Sequence, residues 1–282
     1  MEDRYYRFEI SKFACLVISD GTLMTPIKHP ESLAKKVPRY FPEHGQVMDM
    51  NLLIIRTGKN NVLIDTGMGV GNEATAGKML ENLRAADVKP GDIDTVILTH
   101  CHVDHLGGNA DNNGKPNFPN ARYVIHKAEW DYWKPRLSLP KDKLNPHELI
   151  HIEFMKRYLL TIMDKVDIIG DKNEIVPGIG YLLAPGHTPG GMMLKISSGK
   201  KQLLCVGDLL HDIIEAEAPH AYAVWDVDSD RASITREKVI PELIAANTYI
   251  FSAHLAFPGS RQRSQAPPPT GRSASPRRPS RA

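Results

Sequence analysis

The residues best placed to do chemistry are gathered in one six-residue run, His100-Cys101-His102-Val103-Asp104-His105, directly after an apolar stretch at 96–98. His100 and His102 stand at i and i+2, so an extended backbone turns both imidazoles to one side. The chain then turns, and Asp104 and His105 can point into the same space. Four N and O donors within six residues suit a borderline divalent cation. A chance run of this kind is rare. A lone histidine would read as a solvated or core side chain, but four donors at a strand end do not. Cys101 alternates away from its neighbours and reads as packing.

Three further segments have the same form, an apolar strand ending in a metal-type donor followed by small residues. The stretch from Tyr181 leads to His187, that from Leu203 to Asp208, and that from Tyr249 to His254. Singly each is weak. Together they put three more donors at strand ends, where the loops of functional sites gather. His211, three residues after Asp208, and Trp225 are candidates for touching a substrate. Trp130, Trp133 and Trp225 either wall an apolar cleft or pack in the interior. No Gly-x-Ser-x-Gly and no Ser–His–Asp order is present, which disfavours a covalent serine mechanism.

Positioning these donors requires a β-rich scaffold. Residues 4–18 read as one or two strands and residues 20–49 as a long loop. Residues 52–55 and 62–64 form a hairpin. Residues 75–86 read as a helix, with Met79, Leu80, Leu83 and Ala86 on one face. Short strands follow at 96–98 and 121–125, and helices at 127–133 and 146–162. The chain is β again from 165 to 206, helical at 229–245, and ends in a strand over 248–254. This order predicts an α/β fold of two mixed sheets with helices outside.

Composition sets the limits. The chain has 282 residues, with 35 Lys+Arg against 33 Asp+Glu. Six of the arginines and no acid fall in residues 260–282, which leaves 29 basic against 33 acidic residues, a net of −4, over 1–259. A basic surface for nucleic acid is thereby excluded for the main body. No run of 18 apolar residues marks a membrane span, and the N-terminus is charged from Glu2 with no apolar signal core. The expected location is the cytoplasm, and the expected partner a small-molecule substrate. Neither nucleic acid nor membrane is expected; a homodimer is compatible. The three cysteines, Cys15, Cys101 and Cys205, form no CxxC and no disulfide framework. Residues 1–259 read as one domain. From Ser260 the composition falls to Ser, Pro, Arg, Gln and Gly, the chemistry of a disordered tail that cannot build a strand. So abrupt a change suggests an altered reading frame or a truncated gene, and leaves His254 with little packing behind it.

The run His100–His105, with Gly186-His187-Thr188-Pro189-Gly190-Gly191, Gly207-Asp208 and the final His254, resembles the metallo-β-lactamase-fold hydrolase superfamily over about residues 10–259. The stretch from Gly207 to Leu243 and the sequence Ser252 to Gly259 look like the branch that holds methyl parathion hydrolase and related lactonases. The resemblance implies a four-layer αββα sandwich with a dinuclear site at one edge. It implies that His100, His102 and His187 hold one metal, that Asp104, His105 and His254 hold the other, and that Asp208 bridges both. Asp65 matches a family acid beside the site, against the plainer reading of a turn acid after a strand. The common β-lactamases carry Cys where Asp208 stands, which makes antibiotic hydrolysis a poor expectation.

The expected cofactors are two divalent ions, zinc first, with Mn, Fe or Co as alternatives. Two cations sharing a bridging water lower its pKa from about 15.7 toward ~7. The resulting hydroxide would attack a neutral ester, lactone or phosphotriester, and metal-bound Asp104 would pass a proton to the leaving group. Three alternatives stay open: an iron-dependent redox enzyme on the same ligands, a glyoxalase II-like thioesterase, and a defective paralogue. The absence of a fused flavin-binding domain argues against the flavodiiron type. The basic glutathione-binding residues of glyoxalase II are not recognisable.

Overall fold

In the middle of the third strand, Leu52 and Ile54 face one side and Leu53 and Ile55 the other, and all four are buried. Successive strand residues point to opposite faces. A strand buried on both faces must therefore lie between two packed layers. The computed structural model describes residues 4–25, 46–170, 174–212, 215–216, 218–220, 223, 225–245 and 248–261.

A seven-stranded sheet is built in sequence order from β1 (Tyr5–Ile10), β2 (Phe13–Thr25), β3 (Gln46–Arg56), β4 (Asn61–Ile64), β5 (Thr95–Ile97), β6 (Arg122–His126) and β7 (Val166–Ile169). The first four pair antiparallel. From β4 to β7 the pairing is parallel, so each connection must cross over, and helices do this. These are α1 (Met79–Ala85), the single turn α2 (Val103–Leu106), α3 (Lys127–Arg136) and α4 (Pro146–Tyr158). The second sheet contains β8 (Glu174–Val176), β9 (Ile179–Leu183), β10 (Met192–Ser198), β11 (Lys201–Cys205), β12 (Tyr249–Phe251) and β13 (Ser260–Arg261), with α5 (Ser229–Ala245) between β11 and β12.

Three apolar layers separate four layers of secondary structure. Leu52, Ile54, Val96 and Tyr123 of the first sheet pack on Leu83, Trp133, Ile152 and Met155 of the helices. Leu53, Ile55, Val62 and Ile97 meet Leu194, Ile196 and Leu203 of the second sheet. Met193 and Val206 pack against Ile240 of α5. The fold is thus a helix–sheet–sheet–helix sandwich. No helix among the described residues is long and apolar enough to cross a membrane.

Local signals explain the element that matters most below. Helix α4 opens on a capping box: Asn145 accepts from the Glu148 N–H at 2.8 Å, and Glu148 accepts from the Asn145 N–H at 3.1 Å. Pro146 follows as the first helical residue. His151, Ile152, Met155 and Tyr158 form its buried face.

The helix read over 75–86 begins only at Met79, and the one read over 146–162 ends at Tyr158. Two further departures concern strands. Strand β2 continues to Thr25, and β3 begins at Gln46, where the sequence suggested a loop from residue 20 to 49. The cause is a bulge between Ser19 and Gly21, which breaks the alternation and re-aims Asp20 inward. Residues 26–45, in the middle of the expected loop, lie outside the described residues. At the other end, Ser260 and Arg261 pair with Phe251 and Ile250. A ladder needs backbone groups rather than apolar side chains, so the Ser/Pro/Arg composition did not prevent this short strand. The expectation for residues 262–282 lies outside the described residues.

Asp20 is fully buried and accepts from the N–H groups of Met68 at 2.9 Å, Met79 at 2.8 Å and Gly77 at 3.2 Å. It thereby anchors the segment between β4 and α1. Gly67 (φ +73°) lies so close that a Cβ there would meet Asp20 Oδ2 at 2.4 Å. Burial pushes the Asp20 carboxyl up to about 6, despite those donors. Asp20→Ala leaves three backbone donors unpaired and should lower unfolding stability by about 3 kcal/mol. Since the folded pKa exceeds the unfolded one, wild-type protein loses this contribution as pH rises. The stability gap between wild type and variant should narrow from about pH 4 to about pH 6, as measured by denaturant unfolding. A gap that widens over this window would contradict the assignment.

Candidate metal centre

Strands β4, β5, β11 and β12 deliver their C-terminal ends to one edge of the sandwich, the usual place for a site in sheets of this kind. Asp65 follows β4. Thr99 and His100 follow β5, and the run continues into α2. Asp208 sits in a tight turn after β11, and His254 comes three residues after β12. His187 lies in the loop between β9 and β10. All seven predicted donors meet here. His100, His102, His105, His187, Asp208 and His254 are buried, and Asp104 is half-buried.

The donors fall into two sets around Asp208. Ligand atoms of His100, His102 and His187 lie within 4.8 Å of one another, and so do those of Asp104, His105, Asp208 and His254. His187 Nε2 is 2.8 Å from His102 Nδ1. Asp208 Oδ2 is 3.1 Å from His254 Nε2, 3.5 Å from His187 Nε2 and 3.8 Å from His100 Nε2. Its Oδ1 is 3.2 Å from His105 Nε2. Asp104 Oδ2 reaches His254 Nε2 at 3.4 Å and His105 Nε2 at 3.7 Å. Burial alone would raise the Asp208 carboxyl, but the imidazoles of His105, His254 and His100 hold it well below the usual range.

This geometry fits bound cations. His100 Nε2, His105 Nε2 and Asp208 Oδ1 are buried with no hydrogen-bond partner. Such orphaned atoms are costly unless something satisfies them. Nitrogen and carboxylate donors in two adjacent sets suit two divalent ions, since one tetrahedral zinc takes four ligands.

Buried carboxylates fix the rings from behind. Asp65 Oδ2 is 2.9 Å from His105 Nδ1, and the same carboxylate accepts from the Thr99 N–H at 2.7 Å. Asp65 thus stands behind the His105 ring. It stands at φ +59°, a left-handed conformation that Asp adopts more readily than most residues. Asp226 Oδ1 is 3.0 Å from His187 Nδ1. His211 Nδ1 is 3.3 Å from Glu215 Oε1, which leaves His211 Nε2 beside Asp208 Oδ2 at 3.2 Å. Fully buried Arg236 links Asp226 and Glu215, at 3.3 Å from each. Burial acts to raise the Asp226 carboxyl, but the His187 bond and charge, with Arg236, bring it below its ordinary value.

Sequence reasoning missed Glu129, His147, His151, Glu215, Asp226 and Arg236 as parts of this region. Glu129 is the most consequential. It is buried, and its Oε1 accepts from the Cys101 N–H and Trp133 Nε1, each at 2.8 Å, while Oε2 accepts from the Gly190 N–H at 3.1 Å. One side chain on α3 thus ties the His100–His105 loop of one sheet to the His187 loop of the other. A Cβ at residue 190 would lie 2.0 Å from Glu129 N, so only glycine permits this approach. Burial raises the Glu129 carboxyl even against these donors.

Other expectations resolve as follows. Cys101 packs in the core and belongs to neither donor set. Trp133 is buried in that core and Trp130 packs against it, whereas Trp225 lines the pocket over the site, as does His211. His254 is well supported, contrary to the expectation of weak packing. Asn51 Nδ2 donates to the carbonyls of Ala253 and Leu255 at 3.0 and 2.7 Å, and Ser252 Oγ donates to the Leu210 carbonyl at 2.6 Å. That support comes from β3 and the β11 turn. The pocket also has apolar walls, including Leu23, Met48, Met68, Val103 and Ile150, and no Lys or Arg among its described lining residues.

Residues 49–265 match the family model of the metallo-beta-lactamase superfamily. The chain belongs to that superfamily. It is a metal-dependent hydrolase. Over 209 residues it is 28% identical to an N-acyl homoserine lactonase of Bacillus cereus, spanning 66% of this chain and 74% of that one. Among solved structures, it resembles the dizinc quorum-quenching lactonase AidC, in complex with a product, N-hexanoyl-L-homoserine (29% identity, TM-score 0.79, 92% and 93% of the two chains covered). It also resembles the hydrolase AbOPH of the beta lactamase superfamily (25% identity, TM-score 0.84, 93% and 94% covered).

Glu129→Gln turns one acceptor oxygen into a donor facing backbone or indole N–H groups. It should lower metal affinity by about 10–100-fold, the usual effect of losing support behind metal ligands. Chelator competition measures this. Unchanged affinity would show that the two loops are held together by other contacts.

Proposed function

We propose that this chain is a dinuclear zinc hydrolase that opens a neutral lactone carrying an apolar acyl arm, the class to which N-acyl homoserine lactones belong. The observation that carries the reading is the pair of donor sets meeting at Asp208 on the floor of a pocket with apolar walls. A pocket without a cationic side chain among its described lining offers a phosphomonoester dianion no grip beyond the metal ions themselves. The lactonases to which the chain is similar support the same choice.

In this reading His100, His102 and His187 hold one ion, and Asp104, His105 and His254 hold the other, with Asp208 shared. Two zinc ions would supply a nucleophile from water at neutral pH and polarisation of the scissile carbonyl. The chain does the rest. Asp65 and Asp226 keep the Nε2 lone pairs of His105 and His187 turned inward by accepting from Nδ1. Asp104, with 14% of its side chain exposed, is the most accessible carboxylate of the site. It is placed to carry a proton toward the leaving alkoxide. Met48, Met68 and Trp225 exclude water and shelter the acyl arm.

Zinc-loaded protein should contain about two ions per chain, measured by elemental analysis. His102→Ala should lower kcat/KM by at least ~10²-fold, the scale for losing a metal-activated nucleophile. N-hexanoyl homoserine lactone should be a better substrate than p-nitrophenyl phosphate. One ion or fewer, or a preference for the monoester, would overturn the reading.

A further inference from the structure

His147 and His151, on α4, stand outside the two donor sets. With His102 they bring nitrogen atoms within 4.8 Å of one another, a spacing that suggests a third cation. The hydrogen bonds argue against it. The Val103 N–H, at the start of α2, donates to His151 Nδ1 at 3.3 Å. That nitrogen must present a lone pair, so the proton of this neutral imidazole sits on Nε2. His151 Nε2 lies 3.1 Å from His147 Nε2. It donates there, and His147 accepts. Neither Nε2 lone pair is left for a metal.

The same sequence of donors assigns the proton of His147. With its Nε2 accepting, the ring carries hydrogen on Nδ1. His147 is half-buried and lines the pocket, and among the described residues its one hydrogen bond is made through Nε2, which leaves Nδ1 without a partner. Ile150, three residues on and therefore on the same side of α4, lines the pocket as well. This wall of the pocket thus presents one oriented donor beside apolar surface, the complement of an acyl chain interrupted by a single polar acceptor.

We infer that His147 is a substrate-positioning residue: its Nδ1–H donates to the amide carbonyl of an N-acyl lactone, and His151 and the Val103 N–H hold it in the tautomer that can do so. The inference rests on the lactone reading above. A site built to hydrogen-bond a substrate group discriminates against analogues that lack it. His147 should therefore set the preference for amide-bearing lactones.

Two measurements on the zinc-loaded full chain test this. Long-range 1H–15N correlation of the imidazoles should show His147 as the Nδ1–H tautomer; the Nε2–H form would overturn the proposal. The second compares kcat/KM for N-hexanoyl homoserine lactone and for γ-decalactone, which has the ring and the alkyl arm but no amide. His147→Phe keeps the ring bulk and removes the donor. It should reduce the ratio of the two kcat/KM values about tenfold, chiefly through KM, the scale of one hydrogen bond. His147→Gln, which restores an N–H, should recover much of the ratio. An unchanged ratio in His147→Phe, with wild type active on both lactones, would overturn this inference and leave the lactone reading standing. A wild-type enzyme that opens neither lactone would overturn both.

Discussion

Asp208 is a buried carboxylate facing the imidazoles of His100, His105, His187 and His254, and much of the surrounding structure keeps those rings turned toward it. An unpaired carboxylate with 4% of its side chain exposed would be costly. Unpartnered imidazole nitrogens beside it add to that cost. Cations sharing the space would offset both costs, which links metal binding to the integrity of this edge of the sandwich. The two sheets contribute separately: His100 to His105 follow β5 of the first, and His187, Asp208 and His254 come from loops of the second.

Because no single sheet owns the site, contacts that cross between sheets decide its precision. Glu129 joins the two histidine loops through backbone N–H groups. Asn51 on β3 holds the backbone around His254. The carboxylates behind the rings, Asp65, Asp226 and Glu215, set tautomers, and buried Arg236 offsets the charge of the latter two. Networks of this kind rigidify a site only when every member is satisfied, which accounts for an arginine at the base of the second sheet's loops.

The pocket above this floor is built differently. Its walls come from β2, β3, the turn of α2 and from α4, and are largely apolar. Chemistry is thus concentrated at the floor, while the walls select what reaches it. Helix α4 belongs to both. Its His151 satisfies the first N–H of α2, which would otherwise be orphaned at a helix start, and its His147 and Ile150 face the pocket.

The sequence by itself picked out seven candidate donors and two mixed sheets with helices outside, because both are written in local spacing. Two imidazoles at i and i+2 after a strand, and donors closing three other strands, need no knowledge of partners. Continuous apolar runs such as Leu52–Ile55 announce strands buried on both faces. What lies one contact further out was decided only by tertiary structure. Glu129 sits in a helix 28 residues beyond the amide it binds, and Asp226 is 39 residues from His187. No spacing rule links such pairs. Asp20 looked like a loop residue because a bulge broke the alternation around it. His147 and His151 read as one face of an ordinary helix, and of three tryptophans only Trp225 reached the pocket. Sequence spacing encodes the geometry of one segment; hydrogen bonds between segments depend on how the layers pack, and that packing is settled by the whole core at once.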